Sequence, residues 1–275
     1  MARAVFLVLL SLVTWSCAEV TDDAVEVGTF AIAEAELLAG VVAAAGGDGN
    51  WGFATFETRS ELLAALDAGE VDVAIDYLGS LLDHLGVPGE AQGDAPGALL
   101  AQLRPDDVVI VAPGHAGRGL VVTSDFAGRR GLRSISGLFE EAGQMVVGGP
   151  TDCPRSSTCL AGLATVYGFA FGGFVPIDDP ELLAASLEAG EVDAAVLFVT
   201  DPALDRRRLV ALDDDLDMHV LEAPVAIVRG GALTEDAIRA IGDTLARLDT
   251  EAILGLNLQA EAVGPERAIE RFVGG

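Results

Sequence analysis

Two segments of the chain place side chains suited to ligand binding at the end of an apolar run. Tyr77 and Ser80 end or follow one run, and Phe198, Thr200 and Asp201 end or follow another. An aromatic face attracts a cation, a hydroxyl donates or accepts a hydrogen bond, and a carboxylate attracts a cationic group. Each residue also has a structural reading, as strand-end packing, a helix cap or a buried ring. These residue types predict capture of a small polar ligand.

Residue patterns typical of enzymes are missing from the sequence. The histidines, His84, His115 and His219, do not have the spacing of a metal site. The sequence contains no Gly-x-Ser-x-Gly motif and no glycine-rich phosphate loop of the usual types. We therefore expect no catalysis, no metal ion and no cofactor.

An internal repeat organises the chain around the two binding segments. The sequences ELLAALDAGEVDVAIDYLG (residues 61–79) and ELLAASLEAGEVDAAVLFVTD (residues 181–201) share a helical pattern, a glycine stop, Glu-Val-Asp and an apolar run. A helix that leads into a buried strand is the unit of a parallel sheet, although chance similarity between Ala- and Leu-rich helices is a competing explanation. The repeat predicts an α/β protein of two lobes, each a mixed, mostly parallel sheet flanked by helices.

The order of the predicted elements indicates two crossings between the lobes, near residues 113–114 and 222–224. We expect residues 25–114 and 223–275 to form lobe 1, and residues 115–222 to form lobe 2. Ligands of such folds bind in the crevice at the carboxyl ends of the strands. His115 and Arg118 then lie at the first crossing, where they can contact a ligand carboxylate or belong to a solvated hinge.

The N-terminus has the pattern of an export signal. A ten-residue apolar run (residues 4–13, AVFLVLLSLV) follows Arg3; a bilayer span needs about 20 residues. In one reading residues 1–16 are a signal peptide, Cys17 is the lipidated N-terminus and residues 17–24 are a tether. In the other, cleavage after Ala18 removes Cys17. Both readings predict an exported protein, at the periplasm or cell surface.

Cys153 and Cys159 are the cysteines that remain after the signal segment. An even pair in an exported protein predicts a disulfide, and free thiols or half of a metal site are the alternatives. The net charge of −27 disfavours nucleic-acid binding, because there is no basic footprint. The acidity favours a cationic ligand or reflects only a solvated surface.

Several motifs follow one another along the chain: VG at 27–28, the first repeat at 61–81, GLATVYGFAFGGFVPID at 162–178, GEVDAAVLFVTD at 190–201, LVALDDD at 209–215 and APV at 223–225. In this order they resemble the motifs of the glycine betaine, choline and related osmoprotectant-binding proteins of ABC importers. The resemblance covers nearly the whole chain after the signal segment. It implies a type II periplasmic-binding-protein fold that closes around one ligand, with an ABC permease and its ATPase as partners and a lipid anchor to the membrane.

The resemblance also implies a ligand and further site residues. The family holds a quaternary ammonium in an aromatic cage, and it places a threonine beside the ligand at Thr58. Two further candidates come from their positions in the sequence. Glu34 opens the first predicted helix, where a carboxylate also suits the helix dipole, and Arg155 lies in the Cys loop, which can fold over the cleft. Most of the cage is absent here: Phe198 replaces a tyrosine, and residues 117–122 contain no aromatic residue. A ligand-sensing or degenerate binder without transport and a secreted enzyme on the same fold are the alternative functions.

Overall fold

The computed structural model describes residues 24–87, 94–156, 159–218 and 222–275. The predicted signal peptide, Cys17 and all but the last residue of the predicted tether lie outside the described residues, and they stay predictions. Among the described residues, none of the helices combines the length and the apolar character that a membrane crossing requires.

The described strands form two sheets of five strands each. In chain order the strands are β1 Val25–Phe30, β2 Trp51–Phe56, β3 Val73–Tyr77, β4 Val108–Val111, β5 Arg118–Thr123, β6 Val146–Gly149, β7 Gly173–Pro176, β8 Ala194–Phe198, β9 Leu209–Ala211 and β10 Pro224–Val228. The first sheet has the order β2-β1-β3-β10-β4 and the second β7-β6-β8-β5-β9. In each sheet one strand, β10 or β5, runs antiparallel to both of its neighbours, while the other pairs are parallel.

Helices flank both sheets. The α-helices are α1 Ala33–Ala45, α2 Arg59–Ala68, α3 Leu78–His84, α4 Ala95–Leu100, α5 Ser124–Arg130, α6 Leu160–Gly162, α7 Pro180–Ala189, α8 Ala203–Arg206, α9 Glu235–Leu245, α10 Thr250–Val263 and α11 Pro265–Gly274. Short 3₁₀ turns cover Ile135–Leu138, Ala142–Gln144 and Cys153–Arg155, and a π-turn covers Leu163–Tyr167. The buried side chains form clusters on both faces of each sheet. The predicted two-lobed α/β fold with mixed sheets is confirmed.

The sequence repeat occupies equivalent places in the two sheets. Helices α2 and α7 both end at a glycine in the left-handed region, Gly69 with φ 75° and Gly190 with φ 75°. The aspartate that follows has the same role twice: Asp72 accepts a hydrogen bond from the backbone N–H of Glu26 at 3.0 Å, and Asp193 accepts one from that of Val146 at 2.7 Å. Both carboxylates therefore fix the start of the next strand, β3 or β8, beside its parallel neighbour.

The chain passes between the sheets in two neighbouring segments. Strand β4 of the first sheet is followed by β5 of the second, and β9 of the second by β10 of the first. The backbone N–H of Ala116 donates to the carbonyl of Glu222 at 2.9 Å, so the two crossings lie side by side. The strand memberships support the proposed lobes, 25–114 with 223–275 and 115–222. Their exact boundaries stay a proposal.

Cys153 and Cys159 are joined by a disulfide, with Cα atoms 5.2 Å apart. Both side chains are buried in the core of the second lobe. Reduction of this disulfide is expected to lower the free energy of unfolding by about 2 kcal/mol, because the unfolded chain regains the conformational entropy that closure of the short loop had removed. Urea denaturation with and without reductant measures the difference, and intact mass before and after reduction checks the bond. An unchanged midpoint would contradict the prediction.

Candidate functional site

A cavity of about 1290 Å³ lies between the two lobes, at the ends of β3 and β8. Both sheets contribute to its lining, together with the start of α1, the crossings, α10 and α11. Most of the predicted ligand-binding residues line it: Glu34, Tyr77, Ser80, His115, Arg118, Phe198, Thr200 and Asp201. The crevice that the repeat predicts therefore brings together residues that are far apart in the sequence.

Glu34 is the centre of a hydrogen-bond network that joins the lobes. The Tyr77 hydroxyl donates to Glu34 Oε1 at 2.8 Å, and Asn257 Nδ2 on α10 donates to Glu34 Oε2 at 2.7 Å. The same amide donates to the backbone carbonyl of Thr200 in the second sheet's lobe at 3.0 Å. Burial, followed by the charge of Glu34, raises the pKa of Tyr77, so the phenol stays protonated as a donor.

Ser80 does not cap a helix. Helix α3 begins at Leu78, before Ser80, and the Ser80 hydroxyl donates to Glu222 Oε1 at 2.7 Å. Glu222 lies at the return crossing and lines the cavity. The contact places a second half-buried carboxylate beside the cleft.

A buried ion pair lies beside the cavity in the first lobe. Asp76 is 1 % exposed, and Arg59 Nε donates to its two oxygens at 3.0 and 3.1 Å. Burial raises the pKa of Asp76 to about 6, although the charge of Arg59 and a hydrogen bond from the Tyr77 backbone lower it. Arg59 also lies 5.2 Å from the centre of the Phe30 ring. The Arg59 guanidinium is thus already paired within the protein, with the Asp76 carboxylate and the Phe30 ring.

The second lobe contributes a stacked pair at the cleft wall. Phe198 is 41 % exposed, so the alternative interpretation of this residue, a ring buried in the core, is wrong. The Arg118 guanidinium lies 5.1 Å from the centre of its ring. Asp201 accepts a hydrogen bond from the backbone N–H of Ala203 at 2.8 Å, as its capping reading predicts. The backbone N–H of His115 donates to Thr250 at the start of α10, at 2.9 Å.

The charge of the cavity lining is strongly negative. Its carboxylates are Glu34, Glu36, Asp83, Asp201, Glu222, Glu261, Glu266 and Glu270. Its arginines are Arg59, which is paired with Asp76, and Arg118, which is stacked on Phe198. Such a field attracts cations into the cleft.

Two predicted site residues lie outside the lining of this cavity. Thr58 is the N-cap of α2, where its hydroxyl accepts from the backbone N–H of Glu61 and the Glu61 carboxylate accepts from the Thr58 backbone. Arg155 is exposed in the 3₁₀ turn at the disulfide. Sequence reasoning missed Phe53, whose side chain is 57 % exposed in the cleft, as well as Asn257.

One family model matches nearly the whole chain. Residues 23–274 match the family described as the substrate-binding domain of the ABC-type glycine betaine transport system. The solved structure described as a glycine betaine/carnitine/choline ABC transporter has a TM-score of 0.78 and 19 % identity, and covers 91 % of this chain and 97 % of its own. No curated protein matches the sequence.

Two further solved structures share the fold. Apo YehZ from Escherichia coli has a TM-score of 0.77 and 18 % identity, over 91 % of this chain and 98 % of its own. Lactococcal OpuAC, in its closed-liganded conformation with glycine betaine, has a TM-score of 0.52 and 15 % identity, over 92 % and 96 %. At these identities the likeness extends to the fold alone.

Proposed function

Because the chain belongs to the family of substrate-binding domains of ABC-type glycine betaine transport systems, we propose that it captures a small organic cation between its lobes for an ABC importer. Proteins of this family are extracytoplasmic. The partners in this proposal are the permease and the ATPase of the importer. In this proposal the protein binds and releases its ligand without making or breaking a covalent bond.

The observation that carries the proposal is the inter-lobe cavity, whose lining has eight carboxylates, one of them paired with Arg206, against two arginines. Glu34, Tyr77 and Ser80 lie on the side of the first sheet, and Arg118, Phe198 and Asp201 on the side of the second. A ligand that contacts both groups stabilises the arrangement in which they are close, and so shifts the population toward a closed form. The adjacent crossings supply the hinge.

The anchoring of the protein is a separate part of the proposal. Cys17 follows a signal-like apolar run, and a lipid on this residue would hold the protein near its permease. Mass spectrometry of the mature protein from membranes tests this step. An N-terminus after residue 18, without lipid, would refute the anchor and leave the binding role intact.

A ligand screen tests the binding role directly. The mature protein is expected to gain thermal stability with at least one small cation among choline, glycine betaine, carnitine and simple amines. A ligand at 100 times its Kd contributes about 2.7 kcal/mol to the free energy of unfolding. Stabilisation by none of these compounds would contradict the proposal.

Phe198 offers a mutational test at the cleft wall. Phe198→Ala removes the surface on which Arg118 stacks and thereby frees a guanidinium that repels a cationic ligand in the cleft, so ligand affinity is expected to fall about tenfold. Phe139→Ala is the matched control, because Phe139 is 60 % exposed and does not line the cavity. Isothermal titration calorimetry measures both. Equal affinities of the two variants would contradict the role of Phe198.

A further inference from the structure

The Glu34 carboxylate is oriented in the cleft by two neutral hydrogen-bond donors. Each of its carboxylate oxygens accepts one hydrogen bond from a neutral donor, Tyr77 or Asn257, and among the described residues none of the arginines pairs with it. A carboxylate has about four acceptor positions. Glu34 therefore keeps acceptor capacity in a fixed orientation at the cleft.

Glu222 supplies a second carboxylate of the same kind. Ser80, a neutral donor, orients it, and among the described residues it has no salt bridge. Both carboxylates lie near Tyr77: its hydroxyl donates to Glu34, and Glu222 is two residues before Pro224, which pairs with Tyr77 in the sheet, with the Leu78 N–H donating to the Ala223 carbonyl at 2.9 Å. A cation beside Tyr77 would thus meet two negative groups whose positions are set before it arrives.

The aromatic rings of the cleft are poorly placed to form a cage. The Phe198 ring already faces the Arg118 guanidinium, so a second cation on that face would be repelled. Tyr77 packs against the core of the first lobe and directs its hydroxyl to Glu34. Phe53, which is 57 % exposed, is the remaining exposed ring after Phe198 among the aromatic residues that line the cavity in the described part of the chain. One open ring does not surround a quaternary ammonium.

These contacts separate two classes of cation. A quaternary ammonium has no N–H and is bound mainly through its methyl groups and ring faces. A primary or secondary ammonium donates charge-assisted hydrogen bonds to carboxylates. We propose that the cleft selects ammonium ligands that carry N–H donors over fully methylated ones, with Glu34 and Glu222 as the groups that hold the nitrogen. This inference rests on the proposed binding function and identifies the ligand class.

Two matched pairs of compounds test the selection. Ethanolamine and choline differ only in methylation of the nitrogen. Glycine and glycine betaine differ in the same way, and both carry a carboxylate in place of the hydroxymethyl group of the first pair. Calorimetry of the mature protein is expected to give a Kd at least tenfold lower for the N–H compound of the better-binding pair. N,N-dimethylethanolamine, with one N–H, is expected to lie between ethanolamine and choline if the first pair binds better.

A charge-neutral variant of Glu34 tests whether this carboxylate binds the ammonium group. Glu34→Gln keeps the shape of the side chain and removes its charge, so binding of the preferred N–H compound is expected to weaken at least tenfold. Glu235→Gln, an exposed residue at the start of α9, is the matched control and should leave the Kd unchanged. Circular dichroism melts of both variants check that the fold is retained.

The possible outcomes distinguish this inference from the proposed function. Equal or tighter binding of choline and glycine betaine would overturn the inference and leave the capture of an organic cation intact. Tight binding that is unchanged in Glu34→Gln would also overturn it. Binding of none of the compounds would contradict both.

Discussion

Arg59→Met is expected to lower the free energy of unfolding by about 3–5 kcal/mol at pH 8. The substitution leaves the Asp76 carboxylate, which is 1 % exposed, without its charged partner, and an uncompensated buried charge is among the most destabilising changes in a protein. Arg59 itself is only 28 % exposed, and methionine keeps most of its apolar contact with Phe30. Urea denaturation at two pH values measures the effect.

The loss should be smaller at pH 5 than at pH 8. The folded-state pKa of Asp76 is raised to about 6, above its usual 3.8, so its contribution to stability is present below pH 3.8 and is lost as the pH rises through 6. Removing Arg59 raises this folded-state pKa further, because the arginine charge lowers it. The variant therefore continues to lose stability above pH 6.

Two control variants isolate the ion pair. Arg239→Met breaks an exposed pair with Asp236 and should cost less than about 1 kcal/mol. Adding Asp76→Asn to Arg59→Met removes the buried charge and should recover part of the lost stability, with no dependence on pH between 5 and 8 from this site. A loss of stability that is equal at both pH values would contradict the assignment.

Gly114→Ala is expected to destabilise the protein by about 3 kcal/mol. A Cβ atom at this buried position would lie 2.6 Å from the carbonyl oxygen of Leu248 and 2.7 Å from the carbonyl carbon of Asp249. Both are backbone atoms that cannot rotate away, so the cost lies at the upper end of the range for overpacking. The backbone N–H of Gly114 also donates to Leu248 at 2.9 Å, which fixes this approach.

The same substitution tests the hinge. Gly114 lies at the first crossing and packs against Leu248 and Asp249, the residues directly before α10. Helix α10 carries Asn257, whose amide contacts the second lobe. Displacing the helix should therefore weaken ligand binding as well as stability. Gly128→Ala in α5 is the control, because a Cβ atom there meets no neighbour within 4 Å and alanine favours the helix. A stable Gly114→Ala protein would refute the close packing at this crossing.

The two-lobed fold could be predicted from the sequence because its signals are local. A helix, a glycine stop and an Asp that fixes the next strand occur within about twenty residues, and they occur twice. The carboxyl ends of those strands then place Tyr77 and Phe198 at the crevice. Ser80 and Asp201 follow the strands closely enough to be included.

The remaining parts of the site depend on tertiary contacts that leave no local pattern. Asn257 is 223 residues from Glu34, and nothing in the sequence of α10 indicates that its amide joins the lobes. Glu222 was treated as part of a crossing, although its carboxylate faces Ser80. Asp76 did offer a signal, since a single charge inside an apolar strand requires a partner.

The most direct test of the account is a crystal structure of the mature protein with the most stabilising compound of the ligand screen. We predict that the compound lies between the lobes, with its cationic nitrogen beside Glu34 and Glu222. The two sheets should be closer together than in the ligand-free protein. A ligand bound on the outer surface of one lobe, with the cleft empty, would contradict the account.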